Sequence, residues 1–490
     1  MIRFGNVLSL CAQHLAYELP DTAKFDALSD GMPIRERFLY TMQLLIQKTR
    51  NTSSASRRKD SYMAVKIGLV GTGTVGGGCL DILSNHKQDF LRHFGIDLEL
   101  TRVCSRDPQA AASRGLQDIF TTDYHDVIND PDIDIVVELI GGTGVAKSVI
   151  VEALQAGKHV VTANKAIMAT SGEEIMNLAE EKGLEIAFEA SVGGGIPIID
   201  PLKHSLIANR IDSIMGIVNG TTNYMLTRMD EDSLDYDAAL KEAQERGFAE
   251  ADPTADVDGL DAAAKIAILA SIAFNSRVTM DQVYTEGIRR ISPVDLANAH
   301  DSGYVVKLVA HARRGESGVD VRVHPTMIPE DHQLATVNGV FNAIFVEGDA
   351  VGQTMFFGEG AGAGPAASAV MGDVLEVARH IQMGIKPIVG CTCTDELPII
   401  AMDDLETKYY VRFMVADRPG VLAACADIFA KNGVSVRTVT QRGNAAREDV
   451  DLVFVTHTAK ERDVRKTIDE ILALDGVVTG GEPSVIRVQG

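Results

Sequence analysis

An apolar helix that contains a lysine is the stretch whose residue types could do chemistry. Residues Gly247 to Phe274 read GFAEADPTADVDGLDAAAKIAILASIAF, an acidic, turn-rich loop that runs into an almost continuous apolar segment. Lys265 lies in this segment four residues after Asp261, so the two side chains leave the same face of a helix. An ammonium is costly to bury without a partner. The pair is therefore either a structural salt bridge or a lysine held for proton transfer.

A glycine-rich loop supplies a second chemical signal. The short apolar run Val65–Val70 leads directly into this loop, which spans Gly71 to Gly76. A helical pattern follows to about Phe90. Glycines at this spacing allow a tight turn, close approach of the backbone to a pyrophosphate, and contact between helix and strand. The pattern predicts a dinucleotide-binding site whose loop residues are Gly71, Thr72, Gly73, Thr74, Val75 and Gly76.

The end of the second predicted strand, Leu98 to Cys104, bears on cofactor choice. An acidic residue there typically binds the ribose 2′-hydroxyl of NAD, whereas an arginine suits the 2′-phosphate of NADP. Arg106 precedes Asp107 in this chain. We therefore expect NADP(H) to be preferred, with NAD(H) as the second option. A solvated surface arginine is the alternative reading of Arg106.

Further short strands alternate with helical stretches and indicate a doubly wound parallel sheet. The strands are predicted at Ile133–Ile140, His159–Thr162 and Leu184–Phe188. Parallel strands of such a sheet end at the edge where ligands bind. The polar or glycine residues that follow these strands include Gly141, Lys165 and Glu189. Lys165 is thus a candidate for chemistry beside the cofactor.

The rest of the chain reads as two further units. A strand at Ile214–Val218 ends in Asn219, Gly220 and Thr221, and strand-like runs from Val319 to Phe357 indicate a mixed sheet faced by helices. The glycine-rich segment around Gly362 leads into a helix that we expect to return to the first domain. Residues 408–490 follow the order βαββαβ, which predicts a compact ferredoxin-like unit.

Composition narrows the classes of function. The chain has 490 residues, with 46 Lys and Arg against 68 Asp and Glu, for a formal charge of −22. This charge argues against nucleic acid or an anionic membrane as the main partner. The sequence holds no apolar run of 18 residues, so no membrane span is expected. Six scattered cysteines, with only Cys391 and Cys393 close together, are typical of reduced thiols in a cytoplasmic protein.

Several segments, in this order along the chain, resemble homoserine dehydrogenases. They are G-T-G-T-V-G, V-V-T-A-N-K-A, E-A-S-V-G-G-G-I-P, G-I-V-N-G-T-T-N-Y and G-F-A-E-A-D-P-T-A-D-V-D-G-L-D-A-A-A-K. The last section resembles an ACT domain, matched by the turn D-R-P-G-V-L. Together they are similar to the bacterial enzyme with a C-terminal regulatory ACT domain. The resemblance implies reversible reduction of L-aspartate 4-semialdehyde to L-homoserine, in threonine, methionine and isoleucine biosynthesis.

The resemblance also implies roles for individual residues. Lys265 matches the proton donor, Asp261 matches the residue that orients it, and Lys165 matches a lysine between nicotinamide and substrate. Glu250 matches the carboxylate that binds the substrate ammonium, and we add Asn219, Gly220 and Thr221 as substrate contacts. Gly141, Gly247 and Gly362 join the glycine-rich loop and Arg106 as cofactor contacts. A structural Na⁺ site is implied at Glu189, Val192, Gly194 and Ile196.

The predicted fold class is α/β, with three ordered domains. They are a Rossmann-type NAD(P)-binding domain (63–196 with about 360–382), an α+β substrate and dimerisation domain (197–359) and, after a linker (383–406), an ACT domain (407–490). Residues 1–62 are expected to be a poorly ordered, dispensable extension. Because ACT domains generally bind amino acids between paired modules, the resemblance implies a homodimer or tetramer with threonine as effector. Deletion after Asp404 is then expected to spare catalysis and abolish feedback.

Two other functions compete with this interpretation. An aspartate-semialdehyde dehydrogenase would use the same metabolite, but it needs a cysteine nucleophile. Cys104 and the Cys391–Cys393 pair are not well placed for that role in the sequence. An amino-acid-sensing ACT protein on an inactive dehydrogenase scaffold is the second alternative, and the intact set of Glu250, Asp261 and Lys265 argues against it.

Overall fold

A computed structural model describes residues 64–385, 390–443 and 449–489. The extension expected at residues 1–62 lies outside the described residues, as does the end of the chain at residue 490. Among the described residues, no helix combines the length and the apolar character that crossing a membrane requires.

A parallel sheet forms the first part of the described chain. Its six strands run in the order β3-β2-β1-β4-β5-β6, and all neighbouring pairs are parallel. The direction of winding changes between β1 and β4, which opens a ligand crevice at the carboxyl ends of these strands. The predicted doubly wound sheet is confirmed. The strands are β1 (Val65–Val70), β2 (Leu98–Cys104), β3 (Phe120–Thr121), β4 (Ile135–Glu138), β5 (His159–Thr162) and β6 (Ile186–Ala187).

The helices around this sheet are positioned by glycines and by polar caps. The side chain of Asn164 caps the helix that begins at Lys165, and Gly183 ends it in the left-handed conformation. A Cβ atom on Gly78 would lie 2.5 Å from the carbonyl oxygen of Ala363, so glycine lets the first helix meet a much later one. The helices are α1 (Thr74–Asp89), α2 (Pro108–Ala112), α3 (His125–Ile128), α4 (Val145–Gln155), α5 (Lys165–Lys182) and the returning α11 (Ala363–Met383).

A second, mixed sheet follows the order β12-β11-β7-β9-β10-β17-β13-β15-β14, with β8 and β16 at its sides. The sequence prediction missed β9, whose buried Lys307 and His311 interrupt the apolar pattern. The strands are β7 (Ile211–Ile217), β8 (Tyr284–Thr285), β9 (Tyr304–Arg314), β10 (Val319–Pro329), β11 (Phe341–Gly348), β12 (Gly352–Glu359), β13 (Glu406–Ala416), β14 (Val436–Gly443), β15 (Asp449–Thr456), β16 (Ala459–Lys460) and β17 (Ser484–Val488).

This second sheet joins the predicted substrate domain (197–359), which we call the catalytic unit, and the predicted ACT domain (407–490), which we call the ACT unit. The C-terminal strand β17 pairs in parallel with β10 of the catalytic unit. Beside this pair, Arg412 donates a 2.7 Å hydrogen bond to the fully buried carboxylate of Asp295, and the Tyr410 hydroxyl donates to the same oxygen at 3.0 Å. The predicted βαββαβ unit is present, and it shares its sheet with the catalytic unit instead of standing apart from it.

Helices cover the second sheet and carry the site. One of them, α9, packs on β7, β9 and β10 and on α5, so it lies between the two sheets. Alanines at positions 262, 263, 264, 267 and 270 are buried and allow this close packing. The helices are α6 (Gly220–Glu231), α7 (Tyr236–Glu245), α8 (Thr254–Val257), α9 (Leu260–Phe274), α10 (Pro293–His300), α12 (Val421–Lys431) and α13 (Glu461–Leu472).

Candidate active site

The buried pair on α9 is the centre of the site. The Lys265 ammonium donates to the Asp261 carboxylate at 2.7 Å and to the carbonyl oxygen of Val218, at the end of β7, at 2.6 Å. Both side chains are about nine-tenths buried. The spacing of four residues read from the sequence therefore does produce an ion pair. The Val218 carbonyl fixes the direction of the ammonium as well.

A second lysine reaches the same carboxylate from the other sheet. Lys165 is the first residue of α5, separated by two residues from the end of β5, and its Nζ lies 2.9 Å from the second oxygen of Asp261. Its side chain is 43 % exposed, whereas that of Lys265 is only 10 % exposed. Asp261 thus connects a buried lysine with a lysine that faces the solvent side of the site. We call Lys165, Asp261 and Lys265 the two-lysine cluster.

Electrostatics gives the two lysines different proton affinities. Burial lowers the pKa of Lys265 below its ordinary value, and the nearby charge of Lys165 adds to this effect against the attraction of Asp261. The charge of Asp261 raises the pKa of Lys165 above its ordinary value. Burial opposes ionisation of Asp261, but both lysines outweigh it and hold the pKa of Asp261 below its usual range. Lys265 is therefore the more acidic of the two ammonium groups.

Asn219 and Asp256 complete the polar surroundings of the cluster. The Asn219 amide donates to Asp261 at 2.9 Å and to Asp256 at 2.7 Å, while its oxygen caps α6 by accepting the Thr222 N–H. Burial raises the pKa of Asp256. Asp256 lies in the acidic, turn-rich loop, and nothing in its spacing shows that a residue 37 positions earlier binds it.

The predicted substrate residues lie around this cluster. Glu250 is exposed, and after Asp261 and Asp256 its charge makes a smaller contribution to the raised pKa of Lys165. The Thr221 hydroxyl donates to the carbonyl of Phe248 at 2.6 Å and holds the loop before Glu250. A Cβ atom on Gly220 would lie 2.7 Å from the carbonyl oxygen of Val340, so this position needs glycine for packing.

The glycine-rich loop has the shape that a phosphate site requires. Gly71 has a φ of 109°, and a Cβ atom on Gly76 would lie 2.0 Å from the carbonyl oxygen of Gly71. Around Gly73, by contrast, a Cβ atom would meet no atom within 4 Å, and this residue precedes α1 without a side-chain cap. The open N-terminus of α1 can therefore receive a phosphate.

The end of β2 is arranged around Arg106. The Asp107 carboxylate accepts the Gln109 N–H at 2.9 Å and caps α2, so it points into that helix. The Arg106 side chain is exposed beside it. The Ser105 hydroxyl accepts a 2.7 Å hydrogen bond from Thr72 of the glycine-rich loop, which places this strand end next to the phosphate site.

A buried carboxylate that the sequence prediction missed braces the end of β4. Glu138 accepts hydrogen bonds from the N–H of Ile140 at 2.7 Å and from the Thr162 hydroxyl at 2.7 Å. The Asn164 amide then donates to the carbonyl of Gly142 at 2.8 Å. This network ties the loop that contains Gly141 to the start of α5, and so to Lys165. In the sequence, the signal for this residue is a glutamate at the end of an apolar strand.

The turn after Glu189 lies apart from the cluster. The Glu189 carboxylate accepts three backbone hydrogen bonds, from Ile198, Ile199 and Asp200, at 2.5 to 2.9 Å. Gly193 and Gly194 have positive φ values of 73° and 59°. Three amides thus bind the Glu189 carboxylate, and the Na⁺ site expected at Glu189, Val192, Gly194 and Ile196 stays a prediction. The glycines Gly247 and Gly362 also have positive φ values.

Two groups of described cysteines, Cys104 and the Cys391–Cys393 pair, do not support acyl-enzyme chemistry. Burial raises the pKa of Cys104 to about 11, which suppresses the nucleophilic thiolate. Cys393 contacts Ser271 near the far end of α9, more than two helical turns from Asp261. The requirement of an aspartate-semialdehyde dehydrogenase for a cysteine beside the substrate is therefore not met by either group.

The chain resembles known proteins over most of its length. Family models match at residues 71–189 (homoserine dehydrogenase, NAD-binding domain), 197–375 (homoserine dehydrogenase) and 409–476 (ACT domain). The homoserine dehydrogenase of Synechocystis is 47 % identical over 436 residues, which cover 87 % of this chain and all of that protein. That of Pseudomonas aeruginosa is 42 % identical over 87 % of this chain and 99 % of its own. The chain belongs to the homoserine dehydrogenase family.

Solved structures of the family have the same fold. A homoserine dehydrogenase from Thiobacillus denitrificans superposes with a TM-score of 0.82 at 42 % identity, over 87 % of this chain and 98 % of that one. A hyperthermophilic archaeal homoserine dehydrogenase mutant, in complex with NADPH, is 29 % identical and has a TM-score of 0.56 over 65 % of this chain and 98 % of its own. The enzyme is thus an oxidoreductase with an NAD-binding domain and an ACT domain.

Proposed function

We propose that the enzyme reduces L-aspartate 4-semialdehyde reversibly to L-homoserine with NADP(H) as the preferred cofactor, in the biosynthesis of threonine, methionine and isoleucine. The observation that carries this proposal is the two-lysine cluster, in which one carboxylate binds a buried and a half-exposed lysine at 2.7 and 2.9 Å. A structural ion pair needs only one lysine. The second lysine leaves a positive charge where a substrate oxygen can approach.

The cluster suits the charge that develops during aldehyde reduction. The nicotinamide, when bound, supplies the hydride, and the aldehyde oxygen then needs a proton. Lys265 holds that proton on Nζ, and its lowered pKa makes the donation easier. Asp261 and the Val218 carbonyl keep Nζ in place. Lys165 remains charged and stabilises the developing alkoxide.

The residues of the glycine-rich loop fit a dinucleotide. A Cβ atom would clash at Gly71 and Gly76, whereas the space at Gly73 is free for a pyrophosphate. Arg106 would bind a 2′-phosphate, because Asp107 caps α2 and does not compete for the ribose. This arrangement supports NADP(H) over NAD(H), with Gly141 and the loop it belongs to closing the nicotinamide end.

Glu250 would hold the substrate by its ammonium group. Its carboxylate is exposed and close enough to Lys165 to influence the pKa of that lysine. A substrate bound between Glu250 and the two-lysine cluster would present its amino group to the carboxylate and its carbonyl to the ammonium groups. Charge complementarity of this kind selects an amino aldehyde over a simple aldehyde.

A cation and an amino-acid effector complete the proposed set of ligands. Carbonyl oxygens suit a hard cation, so the turn at Val192, Gly194 and Ile196 would bind Na⁺ through its backbone, near the capped carboxylate of Glu189. An amino-acid effector, threonine in our proposal, would bind to the ACT unit of a homodimeric or tetrameric, cytoplasmic enzyme.

Initial rates test the proposal directly. We expect oxidation of NADPH with L-aspartate 4-semialdehyde, slower turnover with NADH, and inhibition by threonine. Glu250→Gln should raise the KM for the semialdehyde by ~10-fold or more, as loss of a charge-assisted contact predicts, while the KM for NADPH stays unchanged. Tight threonine binding without any turnover would instead favour an amino-acid sensor on an inactive scaffold.

A further inference from the structure

The linker between the catalytic and ACT units packs against the helices that carry the two lysines. The Asp395 N–H donates to the carbonyl of Asn275, which follows α9, at 2.8 Å, and the Leu397 N–H donates to the Ser276 hydroxyl at 2.9 Å. Residues 390–394 close a cavity of about 320 Å³ whose other walls include α5 and α9. The two cysteines of the linker therefore lie where α5, α9 and the path to the ACT unit meet.

The two thiols of this linker share one cavity and have different surroundings. Cys391 and Cys393 are two residues apart and line the same cavity as Lys203. Interaction with Cys393 and the charge of Lys203 lower the pKa of Cys391, in spite of partial burial and the nearby carboxylate of Glu180. The Cys393 thiol also lies 3.5 Å from the carbonyl oxygen of Ser271 on α9.

The other described cysteines differ from this pair. Burial raises the pKa of Cys79 to about 12 and that of Cys104 and Cys425 to about 11, and all three are buried in the core. Cys391 and Cys393 are partly exposed and line a cavity. A thiolate beside a neutral thiol and a lysine is the arrangement that reacts with oxidants.

We propose that Cys391 and Cys393 form an oxidation site in which Cys391 attacks a peroxide and Cys393 resolves the product to an intrachain disulfide. The Cys391 thiolate attacks one peroxide oxygen, the O–O bond breaks, and hydroxide leaves and takes up a proton. Cys393 then attacks the sulfur of the Cys391 sulfenic acid, the S–O bond breaks, and a second water leaves. Two thiols lose two electrons and the peroxide gains them. A dithiol reductant reverses the change.

The disulfide would alter the contact between the linker and α9. Cys393 loses its S–H in the disulfide, so the Ser271 carbonyl loses this donor. The same helix carries Lys265 six residues and Asp261 ten residues before Ser271. We therefore expect oxidation to lower kcat at least ~2-fold, because active sites tolerate little displacement of their groups.

Alkylation and oxidation of the full-length enzyme test the site. With iodoacetamide at pH 7, we expect Cys391 to react at least ~10-fold faster than Cys79 or Cys104. After treatment with hydrogen peroxide, mass spectrometry should show the loss of two hydrogen atoms from the tryptic peptide that carries both linker cysteines. Cys393→Ser should stop at a sulfenic acid that dimedone traps on Cys391. Cys391→Ser, with Cys391→Ala as a second variant, should leave Cys393 unreacted.

The activity measurement uses the same variants. The oxidised enzyme should recover its turnover after treatment with dithiothreitol, and Cys391→Ser should keep its rate in the same peroxide. Alkylation of Cys391 at the rate of Cys79, or its oxidation to sulfinic acid beside a free Cys393 thiol, would overturn the proposal. Unchanged kcat after complete disulfide formation would overturn the coupling to α9.

Discussion

Replacement of Lys265 by methionine separates a proton donor from a structural ion pair. Methionine keeps most of the apolar volume of the lysine stem and removes the ammonium. The Val218 carbonyl then loses its donor, but Asp261 keeps Lys165 at 2.9 Å and the Asn219 amide at 2.9 Å. One buried acceptor is left unsatisfied, so the free energy of unfolding should fall by about 1–3 kcal/mol. It would fall by about 3–5 kcal/mol if the carboxylate lost every partner.

We expect Lys265→Met to lower the catalytic rate by more than its effect on the free energy of unfolding explains. Removal of a positioned general acid typically costs ~10²- to 10⁴-fold in rate, which corresponds to about 2.7–5.4 kcal/mol of transition-state stabilisation. The glycine-rich loop is built from β1 and α1 and does not touch Lys265. We therefore expect Lys265→Met to lower kcat by at least ~10²-fold, while the Kd for NADPH changes less than ~3-fold.

A second buried lysine provides the matched control. Lys307 donates to the carbonyl of Val337 at 2.7 Å and to the Asn338 side chain at 2.8 Å, and burial lowers its pKa to about 8. Lys307→Met should cost similar stability in urea unfolding and leave kcat nearly unchanged. NADPH fluorescence titration and NADPH oxidation give Kd and kcat for both variants. If Lys265→Met kept kcat within ~3-fold and lost only stability, Lys265 would be a structural residue.

Four further predictions address the other parts of the site. Asp261→Asn should move the alkaline limb of the kcat/KM profile for reduction to lower pH, because Lys265 must be protonated and Asp261 raises the pKa of Lys265; steady-state rates across pH measure the shift. Arg106→Ser should raise the KM for NADPH by ~10-fold or more, the scale of a charged hydrogen bond, with a smaller change for NADH in the same assay. Glu138→Gln places an amide where three donors point and should lower kcat and Tm together. Contrary to the expectation from the sequence that deletion after Asp404 spares catalysis, we predict a less stable, poorly soluble chain, because β10 loses β17; circular dichroism and gel filtration of the product would show this, and a folded, active product would contradict it.

Local patterns predicted the elements that position the cofactor site. The strands β1, β2 and β5 have the bounds expected from their apolar runs, and α9 follows from the segment around Lys265. These elements are bounded by glycine turns and capped by nearby residues, so their signals lie within a few positions of each other. The glycine-rich loop was predictable for the same reason. Its role and those of the site residues remain predictions until they are tested by mutation.

Contacts between distant segments could not be predicted in this way. The ion pair between Lys165 and Asp261 joins residues 96 positions apart, and it exists only because α5 and α9 pack against each other. The strand β9 was missed because Lys307 and His311 break its apolar pattern, although hydrogen bonds satisfy both when they are buried. In each case, tertiary partners make a polar residue compatible with the core.

The shared sheet changes how the ACT unit can influence catalysis. A regulatory domain joined by a flexible linker could influence catalysis only through contacts with the surface of the catalytic unit. Here β17 continues the sheet on which α9 packs, and the linker touches the end of the same helix at Asn275 and Ser276. Both connections end on the helix that holds Asp261 and Lys265. An effector that moved the ACT unit would therefore act on the two-lysine cluster through a continuous, packed path.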